Sequence, residues 1–229
     1  LLDGLRQVFL NVGDPAGCVV YTVITMRKVL LASNNQGKVE RYKNLITMAG
    51  LLVEIVTPAE VGIEEVDVIE DGQTLAENAE KKATAYLGKT DLPILANDTG
   101  FWLETEGFVD APKRFALEGQ TESSLSKAEI ADKLVSFWQE KARANGGRVD
   151  AAWVEAFVLL QPDGTKKAAK ARREVILTDT IFGEPHIQMP VRALYISKTT
   201  NKPATVHTAA EELEEMQPVV VALKELFEG

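Results

Sequence analysis

The sequence predicts an α/β fold, and three stretches carry that prediction. Val29, Leu30, Leu31 and Ala32 form a short apolar run suited to a buried strand. Ser33-Asn34-Asn35-Gln36-Gly37 then breaks it with turn and cap formers, and Val39, Tyr42, Leu45, Ile46 and Ala49 follow at helical spacing. Pro93 to Ala96 is a second short apolar strand, stopped by the polar tetrad Asn97-Asp98-Thr99-Gly100. A long amphipathic helix from Ser126 to Arg143 precedes two strand-like segments, 151 to 160 and 168 to 178, which flank the hairpin signal Gln161-Pro162-Asp163-Gly164-Thr165.

Taken in order, residues 1 to 26 read as an extension or leader ahead of a single domain over residues 27 to 229, because Met26-Arg27-Lys28 is a credible start. A signal peptide is not expected, since no basic region precedes the short apolar run from Cys18 to Ile24. Leu52 to Val56 reads as a strand ended by Thr57-Pro58, and the acidic segment from Ile63 to Gly72 as an exposed connection. The helix from about Gln73 to Leu87 places Ala76, Ala79, Ala83 and Tyr86 on one face, and pairing with Glu77 would account for Lys81 and Lys82. Gly107 to Gln120 is loop-like; the helix from Ser126 shows Ile130, Leu134, Phe137 and Trp138 as its buried stripe. A strand is expected from Arg192 to Ser197, then an acidic helix from Thr208 that Pro218 interrupts or restarts. Neither a repeat nor a flexible linker appears, so one unit of two lobes is expected.

With 229 residues the chain can bury a sizeable core, and its formal net charge of −9 argues against a nucleic-acid or anionic-membrane partner. No apolar stretch is long enough to span a bilayer. The single cysteine, Cys18, cannot form an internal disulfide and favours a reducing, cytoplasmic setting.

The chemistry is concentrated at three places. The loop before the first helix would direct free backbone N–H groups and the positive end of the helix dipole at an anion, and Lys38 in the first turn suggests the same ligand. The plain alternative is a capped helix with a solvated lysine. Asp98 at a strand end either caps a turn or faces a ligand, as strand ends do in open α/β sheets. Together with the acid-rich approach to the second helix, these features suit metal-assisted chemistry on a phosphate ester. Magnesium fits best, because it takes carboxylate, water and phosphate oxygens and needs neither histidine nor cysteine. His186 and His207 are expected at the surface.

Three motifs in order, ASNNQGK at Ala32 to Lys38, EDGQTLAENAEKKA at Glu70 to Ala83 and LANDTG at Leu95 to Gly100, resemble the inosine triphosphate pyrophosphatase family. The resemblance implies an elongated two-lobed α/β fold with a central mixed β-sheet flanked by helices, a homodimer, and magnesium-dependent hydrolysis of a non-canonical purine nucleoside triphosphate to the monophosphate and pyrophosphate. It places Ser33, Asn34, Asn35, Gln36, Gly37 and Lys38 on a triphosphate loop and Thr99 and Gly100 beside the substrate. Asp98 becomes the metal-binding catalytic aspartate, Glu70 a further metal ligand and Glu77 a ligand or support, with Lys38 stabilising charge on the phosphate oxygens. Asn97 departs from the family, where an acidic residue commonly precedes the aspartate.

The second half departs further. The family's FGxDP segment and its late lysine with a Ser-His-Arg triplet are not present; Met189-Pro190-Val191-Arg192 replaces the first, placing Arg192 at the base, and Gln217-Pro218-Val219 falls near the second. Lys113, Arg114, Arg172 and Arg173 are further candidates for a phosphate fork. Two rival readings follow: a nucleotide-binding protein of the same fold with lost catalysis, and a pyrophosphatase acting on other nucleotides, as the related Maf group does.

Overall fold

The structure, a computed structural model, describes residues 5–13, 19–64, 66–109 and 111–228. Cys18, Glu65 and part of the expected leader lie outside the described residues. Eight strands form one mixed sheet in the order β1-β2-β4-β6-β7-β8, with β3 on β2 and β5 on β4: β1 Leu5–Gly13, β2 Val19–Leu31, β3 Val53–Val56, β4 Ile94–Leu103, β5 Gly107–Phe108, β6 Arg148–Leu160, β7 Lys166–Thr178 and β8 Tyr195–Ser197. The helices are α1 Gln36–Met48, α2 Leu75–Thr84, α3 Pro112–Ala116, α4 Lys127–Ala144 and α5 Ala209–Glu228. Residues 5–13 pair antiparallel with β2, and β2 runs from Val19 through the apolar run at Val29.

The chain divides into two compact units, the first comprising Leu1–Asp98, Ala156–Lys170 and Val220–Gly229, the second Thr99–Glu155 and Ala171–Val219. In the first, β2 is parallel to both β3 and β4, with Leu30 opposite Ile94. Such strands are covered on both faces and read as continuous apolar runs, as Val29 to Leu31 and Ile94 to Ala96 do. Helix α1 buries Val39, Tyr42, Leu45 and Ile46, as its spacing predicts, and Tyr42 meets Phe157 edge-on. Helix α2 brings Ala79, Ala83 and Tyr86 against Leu30, Ile94, Ala96 and Val158. Ala79 and Ala83 are fully buried, so the helix lies close enough for neighbouring side chains to reach β4.

The second unit has its own core, in which Phe101 meets Trp138 and Trp153 edge-on at ring separations of 5.0 and 4.7 Å. Helix α4 begins at a capping box formed by Ser126 and Glu129. Its buried line is Ala131, Val135, Trp138 and Ala142 rather than the expected Ile130, Leu134, Phe137 and Trp138. The small residues admit close packing beside the tryptophan, while Phe137 stays partly buried at the edge of the cluster.

Four other expectations change. The tetrad Asn97-Asp98-Thr99-Gly100 does not stop a strand but lies within β4, where Asn97 and Asp98 are buried, because sheet pairing overrides local turn preference. The loop-like stretch after Gly107 contains β5 and α3. Arg192 sits in a 3-10 turn, Pro190–Leu194, and the strand starts only at Tyr195. Helix α5 continues through Pro218, carried by buried Val220, Ala222, Leu223 and Leu226 at helical spacing.

Candidate active site

In the first unit, four charged side chains from four stretches share one electrostatic environment. Lys38 stands in the first turn of α1, Glu70 in the acidic connection, Lys82 on α2 and Asp98 on β4. Helix α1 starts at Gln36 because Asn35 caps it. Asn35 Oδ1 accepts from the Lys38 amide at 3.1 Å, and Ser33 Oγ accepts from the Asn35 amide at 3.2 Å. The amides of Gln36 and Gly37 are the other two in this turn that helix geometry leaves without an internal carbonyl. Asn34 Oδ1 is buried without a hydrogen bond, an acceptor open to a bound donor.

Asn78 and Lys82 are four residues apart on α2 and so share a face. Lys82 Nζ lies 2.8 Å from Glu70 Oε2 and 2.7 Å from Asp98 Oδ1, and donates to the Asn97 carbonyl at 3.5 Å. Burial pulls the Lys38 ammonium below its usual pKa; the Lys82 charge adds to that, and Asp98 and Glu70 oppose it. The cluster therefore balances two lysines against two carboxylates.

Lys82 is the functional residue that sequence reasoning missed. Pairing with Glu77 would have accounted for it, yet its partners are Glu70 and Asp98, while Lys81 pairs with Asp71. Glu77 is turned into the start of its own helix, where its carboxylate accepts from the Gln73 amide at 2.6 Å. Of the expected metal ligands, Glu70 and Asp98 are thus brought together and Glu77 is not. Among the described residues, no three His, Cys, Asp or Glu side chains form a metal cluster. Glu70 and Asp98 nevertheless share a single cationic atom, and oxygen donors converging on one positive charge suit a hard divalent cation.

Thr99 and Gly100 continue β4 and belong to the second unit. Arg192 is engaged within the second unit: its guanidinium takes both oxygens of Glu212 and donates to the Ala204 carbonyl at 2.8 Å. Burial, the largest single influence, works against its charge, but the Glu212 hydrogen bond and the charges of Tyr195, Glu212 and Glu215 together outweigh it and raise its pKa. Arg173 is buried between Glu155 and Glu215, Arg172 stacks on Trp102 and pairs with Glu174, and Lys113 pairs with Glu122. His207 is not a surface residue. Its side chain is buried, with Nε2 2.8 Å from Thr200 Oγ1 and Nδ1 3.2 Å from Glu215 Oε2.

A model of the Ham1 family matches residues 29–181, two-thirds of the chain. The chain belongs to the Ham1 family. Among its Ham1 relatives, a dITP/XTP pyrophosphatase of Streptomyces avermitilis is 30% identical over 158 residues, covering 69% of this chain and 76% of the relative. One of Xanthomonas axonopodis is 43% identical over 75 residues, 33% of this chain and 36% of the relative. The solved Ham1 protein of Staphylococcus aureus superposes with a TM-score of 0.63 at 20% identity, covering 89% of this chain and 99% of that one. That of Coxiella burnetii gives 0.64 at 20% identity, covering 87% and 100%. These two likenesses establish a shared fold. Among the described residues, no helix of this Ham1 chain is long and apolar enough to cross a membrane.

Proposed function

We propose that this chain hydrolyses non-canonical purine nucleoside triphosphates, of the dITP and XTP type, to the monophosphate and pyrophosphate. The observation that carries the reading is the convergence of Lys38, Lys82, Glu70 and Asp98 beside the capped start of α1. The names of the relatives supply the substrate class.

The chain's residues divide the work. Lys38 and the amides of Gln36 and Gly37 bind triphosphate oxygens and stabilise charge that develops on them. Asp98 orients a water toward the α-phosphorus and takes its proton as the bond to the bridging oxygen breaks, releasing pyrophosphate. Lys82, set between Glu70 and Asp98, holds the two carboxylates together until a ligand arrives and then turns to the phosphates. Glu70 and Asp98 would hold magnesium, which when bound neutralises phosphate charge and polarises the phosphorus.

The test is pyrophosphate release from a nucleotide panel, with and without magnesium. The expected result is magnesium-dependent release, fastest from dITP and XTP; no release from any nucleotide would overturn the reading. The engagement of Arg192 by Glu212 removes one candidate for base recognition and favours a second reading, a nucleotide-binding protein of this fold with weak catalysis. Binding without pyrophosphate release is its signature, and release mainly from other nucleotides would indicate a Maf-like preference.

A further inference from the structure

The ion pairs of the site do not explain how the acidic connection, a segment without regular secondary structure among its described residues, holds Glu70 beside a strand residue. The contacts around Gly72 and Asn78 do. The Gly72 amide donates to Asn78 Oδ1 at 2.8 Å, and Asn78 Nδ2 donates to Asp98 Oδ2 at 3.4 Å. An amide N–H can only donate, so the oxygen of the Asn78 side chain must face Gly72 and its NH2 group must face the carboxylate. The approach is too close for any side chain at residue 72: a Cβ there would stand 2.5 Å from Asn78 Oδ1 and 2.9 Å from Glu77 Cβ. Asp98 is thereby held through both oxygens, Oδ2 by Asn78 and Oδ1 by Lys82 from the next turn of the same helix.

We propose that Asn78 is a positioning residue of the pyrophosphatase site, clamping the Glu70–Gly72 connection and the Asp98 carboxylate to one face of α2. The role rests on the functional reading above. It deepens that reading by naming what sets the separation of the two carboxylates. Asn78 acts through Asp98, whose Oδ2 it holds. Its effect is on where Asp98 points when the water attacks the phosphorus.

Two substitutions separate the halves of the clamp. Asn78→Asp keeps the acceptor for Gly72 and replaces the donor to Asp98 with a repelling oxygen; Asn78→Leu removes both. With dITP as substrate, Asn78→Asp is expected to lower kcat by about 10–100-fold, the scale of a misplaced reacting group, while KM stays within about twofold because the triphosphate loop is untouched. Its melting temperature is expected to stay within about 2 °C of the wild-type value. Amide hydrogen exchange at Gly72 gives a readout independent of activity. Protection should persist in Asn78→Asp and fall about tenfold or more in Asn78→Leu. An Asn78→Asp variant with wild-type kcat, one whose loss lies in KM alone, or unchanged Gly72 exchange in Asn78→Leu would overturn the proposal. If the wild-type chain releases no pyrophosphate, the functional reading fails, and the exchange data still decide whether the clamp exists.

Discussion

Lys82 in the first unit and Arg173 in the second each sit between two carboxylates, Glu70 and Asp98 for the lysine, Glu155 and Glu215 for the arginine. Their surroundings differ. The three side chains of the second set are 4%, 1% and 1% exposed, whereas Glu70 is 48% exposed and Lys82 and Asp98 are 12% and 13% exposed. Arg173 donates at 2.7 Å to Glu215, which also accepts from the Tyr195 hydroxyl. A buried ion pair of this kind is fixed, because removing either partner strands a charge away from water. The lysine set is open on one side, and the strongly hydrated ammonium of a long flexible chain can change partners. One architecture thus serves two purposes, a structural tie and an exchangeable one.

The most damaging test of this contrast is Asp98→Asn. It should cut pyrophosphate release by about 10²–10⁴-fold or more, with little change in the urea midpoint; near-normal turnover would end the catalytic assignment. Next is Arg173→Met. Leaving Glu155 and Glu215 buried without their cation should cost about 3–5 kcal/mol, read as a shift in equilibrium unfolding, with turnover of the folded protein little changed. The same replacement in the open set, Lys82→Met, should reverse the pattern: about a tenfold or greater loss of kcat/KM with a stability change of about 1 kcal/mol or less. If Lys82→Met destabilised as much as Arg173→Met, the distinction would fall.

A separate effect on the closed set concerns pH. Burial, and then the Glu215 charge, push the Tyr195 hydroxyl up to about 12, while its value in the unfolded chain is about 10. A raised folded value means that the contribution is fully present below pH 10 and is lost as pH rises through about 12. Unfolding midpoints measured between pH 8 and 12 should therefore fall over that window by an amount equivalent to about 2–3 kcal/mol, and Tyr195→Phe should flatten the fall. An identical slope in the variant would assign the titration elsewhere.

What the sequence made legible was local. The cap before α1, the buried line of α1, the start of α4 at Ser126 and the turn from Gln161 to Thr165 all depend on residues within a few positions of one another. The parts that were not legible depend on distant partners. Lys82 looked like half of an intrahelical pair, because nothing near it shows that Glu70, twelve positions before, and Asp98, sixteen after, return to its face. Arg173 reads in the sequence as a candidate for a phosphate fork for the same reason, since Glu155 and Glu215 lie far from it in the chain. The polar tetrad at Asn97 was misread as a strand end because its residues favour turns in isolation, whereas Lys82 and Asn78 satisfy Asp98 inside the strand. Glu77, a ligand or a support by motif, has one carboxylate oxygen engaged at its own helix start by the Gln73 amide. His207 had only its scarcity as a guide, and its burial follows from Thr200 and Glu215.

The pairing of Lys38 and Lys82 with Glu70 and Asp98 has a consequence for how an anion is received. The chain carries a formal net charge of −9, and these four groups add nothing to it. These four charges alone supply no net positive field to draw an anion in from a distance. Long-range repulsion is relieved by salt, whose screening length is about 8 Å at physiological ionic strength. Attraction arises at contact, as the incoming phosphates compete with Glu70 and Asp98 for the ammonium of Lys82.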